Sequence, residues 1–165
     1  MAASNNAGTQ LVVNVPQGGQ KIQTFNLTPS LPVDGKAGDW LWADPAAPTT
    51  QISSVRVKFS VDSSATEQDF ERAILIINIQ QDSKANGYWR FALNGVAINP
   101  EYSDIYHNVE FDVSDDGATL IAHVQVIGDT LETIKFSFVA SFTDAVSGVV
   151  TTYESQDPDI IPGRP

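Results

Sequence analysis

Cysteine is absent from the 165-residue sequence. This absence excludes disulfide bonds, zinc-thiolate sites and cysteine nucleophiles. It leaves the redox compartment open, because a chain without thiols tolerates reducing and oxidising surroundings alike. A chain of this length buries about 70% of its unfolded surface, so one domain can fold without a covalent or metal staple.

Positive charge is scarce. The chain has nine Lys and Arg against 20 Asp and Glu, and its net charge is −11. The cations are scattered from Lys21 to Arg164 without a basic cluster. Because nucleic acids and anionic membranes are recognised through such clusters, we expect neither as a partner. The acidity is typical of a surface that promotes solubility, and attraction of Ca²⁺ or of a cationic partner is the alternative.

Long hydrophobic runs are also missing. No stretch approaches the roughly 18 apolar residues of a membrane-spanning helix. The N-terminal sequence MAASNNAGTQ has neither the basic segment nor the apolar segment of a signal peptide. We therefore expect a soluble, cytoplasmic protein, with export by a signal-independent route as the alternative.

Alternation of apolar and polar side chains is the dominant pattern that is present. The two clearest apolar faces comprise Val55, Val57, Phe59 and Val61 in one segment, and Ile134, Phe136, Phe138, Ala140 and Phe142 in another. A period of two indicates β-strands, and the sequence holds about nine such segments separated by short turns. We predict an all-β, single-domain antiparallel β-sandwich of about nine strands, of the immunoglobulin-like or Greek-key type.

The domain boundaries follow from the two ends of the chain. Residues 1–9 are small and polar and predict a flexible tail, while residues 10–155 hold the sandwich. Residues 156–165 predict a C-terminal extension, because three prolines there should end sheet pairing. Such an extension could dock along an edge strand, which must be covered or blunted.

The run Ala73-Ile74-Leu75-Ile76-Ile77 breaks the simple alternation, because apolar side chains fall on both of its faces. Two-sided apolar strands are typical of the centre of a sheet that is covered on each side. A contact with another subunit would explain the second face equally well.

The longest irregular segment, residues 29–50, contains the first candidate site. Trp40 and Trp42 point the same way if the segment is extended, with Asp39 and Asp44 beside them. Exposed, the two rings would form a ligand-binding platform for a sugar ring or an anchor for a peptide. Buried, they would close one end of the sandwich.

A hairpin around Asp116-Gly117 contains the second candidate site. A two-residue loop there places Glu110 opposite His123, whereas a four-residue loop makes them diagonal neighbours. Together with Asp112, this pair could bind a metal or transfer protons, or it could be a surface ion pair. The turn residues Asp115 and Asp116 could add Ca²⁺ ligands to Asp112, although EF-hand spacing is absent and aspartates also favour turns for backbone hydrogen bonding.

Three C-terminal segments carry a resemblance to a known family: FDVSDDGATL at 111–120, FSFVASFTD at 136–144 and YESQDPDI at 153–160. Their order resembles that of the bacterial DP-EP family of small β-sandwich proteins. The pair Asp157-Pro158 stands in the expected late position, whereas a Glu-Pro pair is absent. The resemblance covers the last third of the chain and implies a β-sandwich without supplying catalytic residues.

Catalytic motifs are lacking: the sequence has no Gly-x-Ser-x-Gly, no P-loop and no His-Glu-x-x-His. We therefore expect a non-catalytic protein-interaction or self-associating structural module that needs no cofactor. A carbohydrate- or peptide-binding module that uses Trp40 and Trp42 is one alternative. A metal-dependent hydrolase around Glu110, Asp112 and His123 is another.

Overall fold

The computed structural model describes residues 8–36, 38–82, 84–98, 109–126 and 133–164. These residues form eleven strands and one short helix, which confirms the all-β class. In chain order they are β1 (Thr9–Asn14), β2 (Gln20–Thr28), β3 (Leu41–Ala43), β4 (Ile52–Lys58), α1 (Ala65–Phe70), β5 (Arg72–Ile79), β6 (Gly87–Ile98), β7 (Val109–Val113), β8 (Thr119–Val124), β9 (Ile134–Asp144), β10 (Val150–Glu154) and β11 (Asp159–Gly163).

The strands form two sheets. The first sheet has the order β1-β4-β11-β9-β10, with β6 paired to the other edge of β9, and the second sheet has the order β3-β2-β5-β8-β7. The predicted sandwich is confirmed, but its sheets are mixed: most neighbouring strands are antiparallel, whereas β1–β4, β4–β11 and β2–β5 are parallel pairs. Parallel neighbours require long crossover connections, which strand periodicity alone does not reveal.

The core lies between the inner faces of the sheets. Val55 and Val57 of the first sheet and Phe25 and Leu27 of the second are fully buried, as alternation predicts. Val61 departs from its predicted face and is 61% exposed, because β4 ends at Lys58 and the chain turns before Val61 is reached. Alternation thus predicts the inward-facing residues correctly within β4, but not for Val61, which follows the end of the strand.

The C-terminal segment is part of the sheet, contrary to the predicted extension. β11 lies inside the first sheet, parallel to β4, and its first two residues also pair with the start of β9. Pro162 is tolerated because β9 pairs only with Asp159 and Ile160, so no ladder donor is needed from Pro162 on that side. At the other end, Thr9 already belongs to β1, while residues 1–7 of the predicted tail and Pro165 lie outside the described residues.

The pair Asn94-Gly95 lies in a bulge within β6, although an Asn-Gly pair between apolar segments is typical of a hairpin turn. Pairing with β9 shifts register between Phe91 and Val96. Gly95 has φ +79°, and a Cβ added to it would lie 2.6 Å from Cδ1 of the fully buried Leu120. The glycine therefore meets two requirements at once, a left-handed backbone and close approach to the opposite sheet.

Gly95→Ala is expected to lower the free energy of unfolding by about 1–3 kcal/mol, because the new methyl group must displace Leu120. Gly148→Ala is the matched control: Gly148 has φ +70°, but nothing lies within 4 Å of an added Cβ. Both variants suffer the strain of a left-handed backbone at alanine, so the difference between their unfolding free energies, measured by urea denaturation, reports on the clash with Leu120 alone. Equal losses in the two variants would contradict the proposed packing at Gly95.

The helix α1 is held by a capping box. The Ser64 side chain accepts a hydrogen bond from the Glu67 backbone N–H, and the Glu67 carboxylate accepts one from the Ser64 backbone N–H. The bond from the Ser64 backbone N–H to the carboxylate, with help from the Gln17 side chain, holds the pKa of Glu67 below its ordinary value. No helix in the described ranges is long and apolar enough to cross a membrane.

A buried ion pair ties the C-terminal segment to the start of β5. Arg164 and Glu71 meet at 2.7 Å, and their side chains are 1% and 0% exposed. The Glu71 carboxylate also accepts hydrogen bonds from the Gly18 N–H at 2.8 Å and from the Ser63 hydroxyl. Burying a charge is costly unless it is paired and hydrogen-bonded, and these contacts satisfy the Glu71 carboxylate. They also join three separate segments of the chain, since the partners of Glu71 are Gly18, Ser63 and Arg164.

The guanidinium of Arg164 completes the cluster from the other side. It donates hydrogen bonds to the carbonyl oxygens of Ser60 and Val126, and its central carbon lies 5.4 Å from the ring centroid of Phe59. Arginine suits this position, since its planar group can bind a carboxylate and carbonyls while stacking on an aromatic ring.

Candidate interaction face

The outer face of the second sheet carries an apolar cluster at its centre. Strand register aligns Ile22 of β2 with Ile74 of β5, and Ile76 of β5 with Ile121 of β8. These four residues, Ile22, Ile74, Ile76 and Ile121, are called the isoleucine face below. They meet because β5 is the middle strand of the sheet and places its outward residues between those of β2 and β8.

Burial differs sharply between the two faces of β5. The inward residues Ala73, Leu75 and Ile77 are at most 1% exposed, whereas the outward residues Ile74 and Ile76 are only half-buried. On the neighbouring strand, Ile22 is 59% exposed. The described part of the chain therefore seals one side of this strand and leaves the other partly open to solvent.

Acidic residues border the isoleucine face on the side of β7. Glu110 pairs with His123, and Asp112 pairs with Ile121, with both carboxylate residues exposed and His123 half-buried. The register expected from a two-residue loop is confirmed. It continues one pair beyond β7, because the Ser114 N–H donates a hydrogen bond to the Thr119 carbonyl, although the connection between the strands is longer than two residues. The face is thus apolar at its centre and negatively charged along one edge.

The turn of this hairpin uses its aspartates for local hydrogen bonds. The Asp116 carboxylate accepts bonds from the Ser114 hydroxyl at 2.7 Å and from the Ala118 N–H at 3.0 Å, which hold the pKa of Asp116 below its ordinary value. Asp115 is exposed, and its carbonyl and that of Asp116 accept bonds from Arg90. These contacts fit the turn-forming role of aspartate.

The five proposed metal ligands do not converge on one point, although Glu110 lies opposite His123. Glu110, Asp112 and His123 are spread along two strands, while Asp115 and Asp116 occupy the turn. Among the residues that the structure describes, no group of three or more His, Cys, Asp or Glu side chains could hold a metal ion.

The tryptophan segment lies in the core. Trp40 and Trp42 are each 1% exposed, and both point inward, as an extended segment requires. Trp42 contacts aromatic rings of both sheets, with centroid distances of 5.2 Å to Phe25 and 5.3 Å to Phe138. Of the two alternatives that the sequence allows, the rings are therefore buried. A platform for stacking a sugar would require both rings to leave the core.

The flanking acids and the backbone of this segment have separate contacts. Asp39 is exposed, and Asp44 accepts a hydrogen bond from the Ala46 N–H at 3.0 Å. The side-chain amide of Gln156 binds both the N–H and the carbonyl of Trp40, at 2.9 and 2.7 Å, in the manner of a neighbouring strand. Sequence reasoning missed Gln156, because nothing in a lone glutamine indicates a partner 116 positions away.

A cavity of about 230 Å³ lies next to this contact, with Asp39, Gln156 and Asp157 among its lining residues. Asp157 and Pro158 lie in the connection between β10 and β11, and the Asp157 carboxylate accepts a hydrogen bond from the Ser137 hydroxyl at 3.2 Å. Ser155 also bonds to the Phe138 backbone N–H at 2.8 Å. The Asp-Pro pair thus shapes the point where the chain passes from β10 to β11 along β9.

Comparison with known proteins extends the resemblance noted in the C-terminal third. No curated protein matches the sequence. A family model described as the DP-EP family matches residues 9–164, nearly the whole chain. The chain therefore belongs to the DP-EP family.

Proposed function

We propose that this protein is a non-catalytic interaction module that associates with a second copy of itself through the isoleucine face. The observation that carries the proposal is the half-buried state of Ile74 and Ile76 on the middle strand of the second sheet. Exposed clusters of large apolar side chains are uncommon on monomeric proteins and mark contact surfaces. The proposal requires no metal or cofactor.

The dimensions of the face support a specific contact. β5 has eight residues, and the second sheet has five strands. At about 3.3 Å per residue and about 4.8 Å per strand, the whole outer face of the second sheet, with the isoleucine face at its centre, covers about 500–600 Å² once its shorter edge strands are considered. Two partners would together bury about 1,000–1,200 Å², the lower limit of specific protein interfaces.

The central aliphatic side chains provide the expected driving force. Full burial of one isoleucine contributes about 1.5–3 kcal/mol, and the half-buried residues still have part of that to gain. Because strands hold their backbone rigidly, little conformational entropy is lost when such a face docks. The resulting association is expected to be weak to moderate and dependent on concentration.

The double variant Ile76→Thr/Ile121→Thr tests the proposal. Threonine keeps the β-branched shape that suits a strand but removes apolar surface from the centre of the face. We expect the dissociation constant for self-association, measured by sedimentation velocity, to rise by at least about tenfold, which corresponds to about 1.4 kcal/mol. Circular dichroism should show an unchanged fold.

Val146→Thr is the matched control, because Val146 is 82% exposed in the turn after β9 and lies outside the isoleucine face. It should associate like the unmodified chain. If the double variant and the control associate equally, the isoleucine face is not the contact surface.

A further inference from the structure

Three of the nine Lys and Arg in the chain lie on one part of the outer face of the first sheet. A fourth, Arg90 on β6 of the same sheet, binds the carbonyl oxygens of Asp115 and Asp116. Arg56 and Lys58 point outward from β4, and Lys135 is exposed on β9. Strand register places them on one part of the sheet, because β11 lies between β4 and the start of β9. Lys135 is level with Ser54, two and four residues along β4 from Arg56 and Lys58. Asp159 of β11, which pairs with both Ser54 and Lys135, is the one acidic residue within these paired strand segments. Asp157, just before β11, accepts a hydrogen bond from Ser137, two residues along β9 from Lys135.

The three cations have no ion-pair partner among the described residues. The buried ion pair of the molecule uses Arg164 instead, and the Nε atom of Arg56 is buried without a hydrogen-bond partner in the described ranges. Apolar side chains lie on either side of Arg56, since it pairs with Val12 of β1 and Ile161 of β11. Val12 is 43% exposed. This surface is called the basic face below and comprises Val12, Arg56, Lys58, Lys135 and Ile161.

The basic face and the isoleucine face complement each other. One combines aliphatic side chains with three cations, and the other combines four isoleucines with Glu110 and Asp112. Two isoleucine faces in contact would instead bring two copies of both acids together. At the outward-facing positions of the described strands, Arg72 is the one Lys or Arg available to offset them, since Lys21 lies at the inward parity of β2, opposite Ala73. For a chain with a net charge of −11, a contact between unlike faces has the more favourable electrostatics.

We propose that the isoleucine face of one copy docks on the basic face of the next, so that self-association is head-to-tail. This inference rests on the proposed function and names the partner surface. Because the two faces lie on opposite sides of one sandwich, each docked copy keeps one free face. Such a heterologous contact allows growth beyond a dimer, into an open chain or a closed ring.

Salt dependence gives the first test on the unmodified protein. Attraction between unlike faces is weakened by screening, whereas repulsion between two acid-bordered faces is relieved by it. We expect the dissociation constant to rise by about tenfold between about 50 mM and about 500 mM NaCl. Association that strengthens with salt would overturn the head-to-tail arrangement.

Mixing two defective variants gives the decisive test. Ile76→Thr/Ile121→Thr disables the isoleucine face, and Lys58→Glu/Lys135→Glu disables the basic face by reversing the charges of the half-buried Lys58 and the exposed Lys135. Circular dichroism should show that both variants keep the fold. Each variant alone should be a monomer by sedimentation velocity. Their equimolar mixture should form a heterodimer and no larger species, because each partner supplies the intact face that the other lacks.

Lys36→Glu/Lys84→Glu controls for charge, since it replaces two exposed lysines outside both faces and changes the net charge equally. It should retain at least about a third of the association constant of the unmodified chain, because scattered surface charges contribute little. If Lys58→Glu/Lys135→Glu associates as well as this control, the contact joins two identical faces and the head-to-tail inference fails while the proposed function stands. If the unmodified chain does not associate at all, the proposed function fails first.

Discussion

Arg164→Met is expected to lower the free energy of unfolding by about 3–5 kcal/mol, because it leaves the Glu71 carboxylate buried without its cation. Methionine preserves much of the side-chain length and its packing against Phe59, so the loss reports on the charge more than on the volume. Urea denaturation followed by circular dichroism measures the change. A loss under about 1 kcal/mol would show that the pair is open to water.

The double variant Glu71→Leu/Arg164→Met is the matched control for this prediction. It removes both charges together and should recover part of the stability lost in Arg164→Met, because an isolated buried charge costs more than an absent pair. If the losses of the single variants simply add in the double variant, the two residues do not interact.

The pH dependence of stability gives a second readout of the same cluster. Burial opposes ionisation of Glu71, but the Ser63 hydroxyl, the Gly18 N–H and the Arg164 guanidinium together hold the pKa of Glu71 below its ordinary value. A carboxyl whose pKa is lower in the folded state than in the unfolded state stabilises the fold above the unfolded pKa, which is about 4.3 for Glu. That contribution is lost as the pH falls through the folded pKa.

Glu71→Gln should therefore be less stable than the unmodified chain at neutral pH, and the difference should shrink as the pH falls below about 4.3. The other carboxyls with lowered pKa, Glu67, Asp116 and Asp144, are present in both proteins and cancel in the comparison. Chemical denaturation at a series of pH values tests this. A difference that is constant down to the acid limit would contradict the assignment.

Trp42→Ala is expected to lower the free energy of unfolding by about 3–5 kcal/mol, since it removes a large side chain from between the two sheets. The cavity would lie between Phe25 of the second sheet and Phe136 and Phe138 of the first. Trp42→Phe should cost much less, because it keeps an aromatic ring and also removes a buried indole N–H without a hydrogen-bond partner in the described structure.

Phe70→Ala is the control for loss of an aromatic side chain, because Phe70 is 61% exposed at the end of α1. Its effect on unfolding free energy should remain within about 0.5 kcal/mol. A Trp42→Ala variant as stable as this control would place the ring on the surface, where the carbohydrate-binding alternative requires it.

Period-two patterning predicts which residues face inward, and it succeeds where strands are regular. It indicates the inner face of β9 and the two-sided character of β5, and it brings Glu110 onto one face with His123. Alternation does not specify which strands become neighbours, because the same pattern fits any partner in either direction. The parallel pair of β2 and β5 and the insertion of β11 beside β4 therefore could not be derived from the sequence.

The isoleucine face was predictable only in part, because alternation shows which face of a strand a residue occupies but not which strands become neighbours. The run around Ile74 and Ile76 carries a local signal of two apolar faces, and the sequence suggests a subunit contact as one explanation. That Ile22 and Ile121 join them depends on strand order, which brings together positions about 100 residues apart (22 and 121) only in the folded chain. The basic face was hidden similarly, since Lys58 and Lys135 are far apart in a sequence without a basic cluster.

Sedimentation velocity of the unmodified chain, from about 1 µM to about 100 µM, tests the central claim most directly. If the isoleucine face binds a second copy, the weight-average sedimentation coefficient should rise with concentration, and Ile76→Thr/Ile121→Thr should shift that rise to concentrations at least about tenfold higher. A coefficient that stays at the monomer value over the whole range would contradict the account.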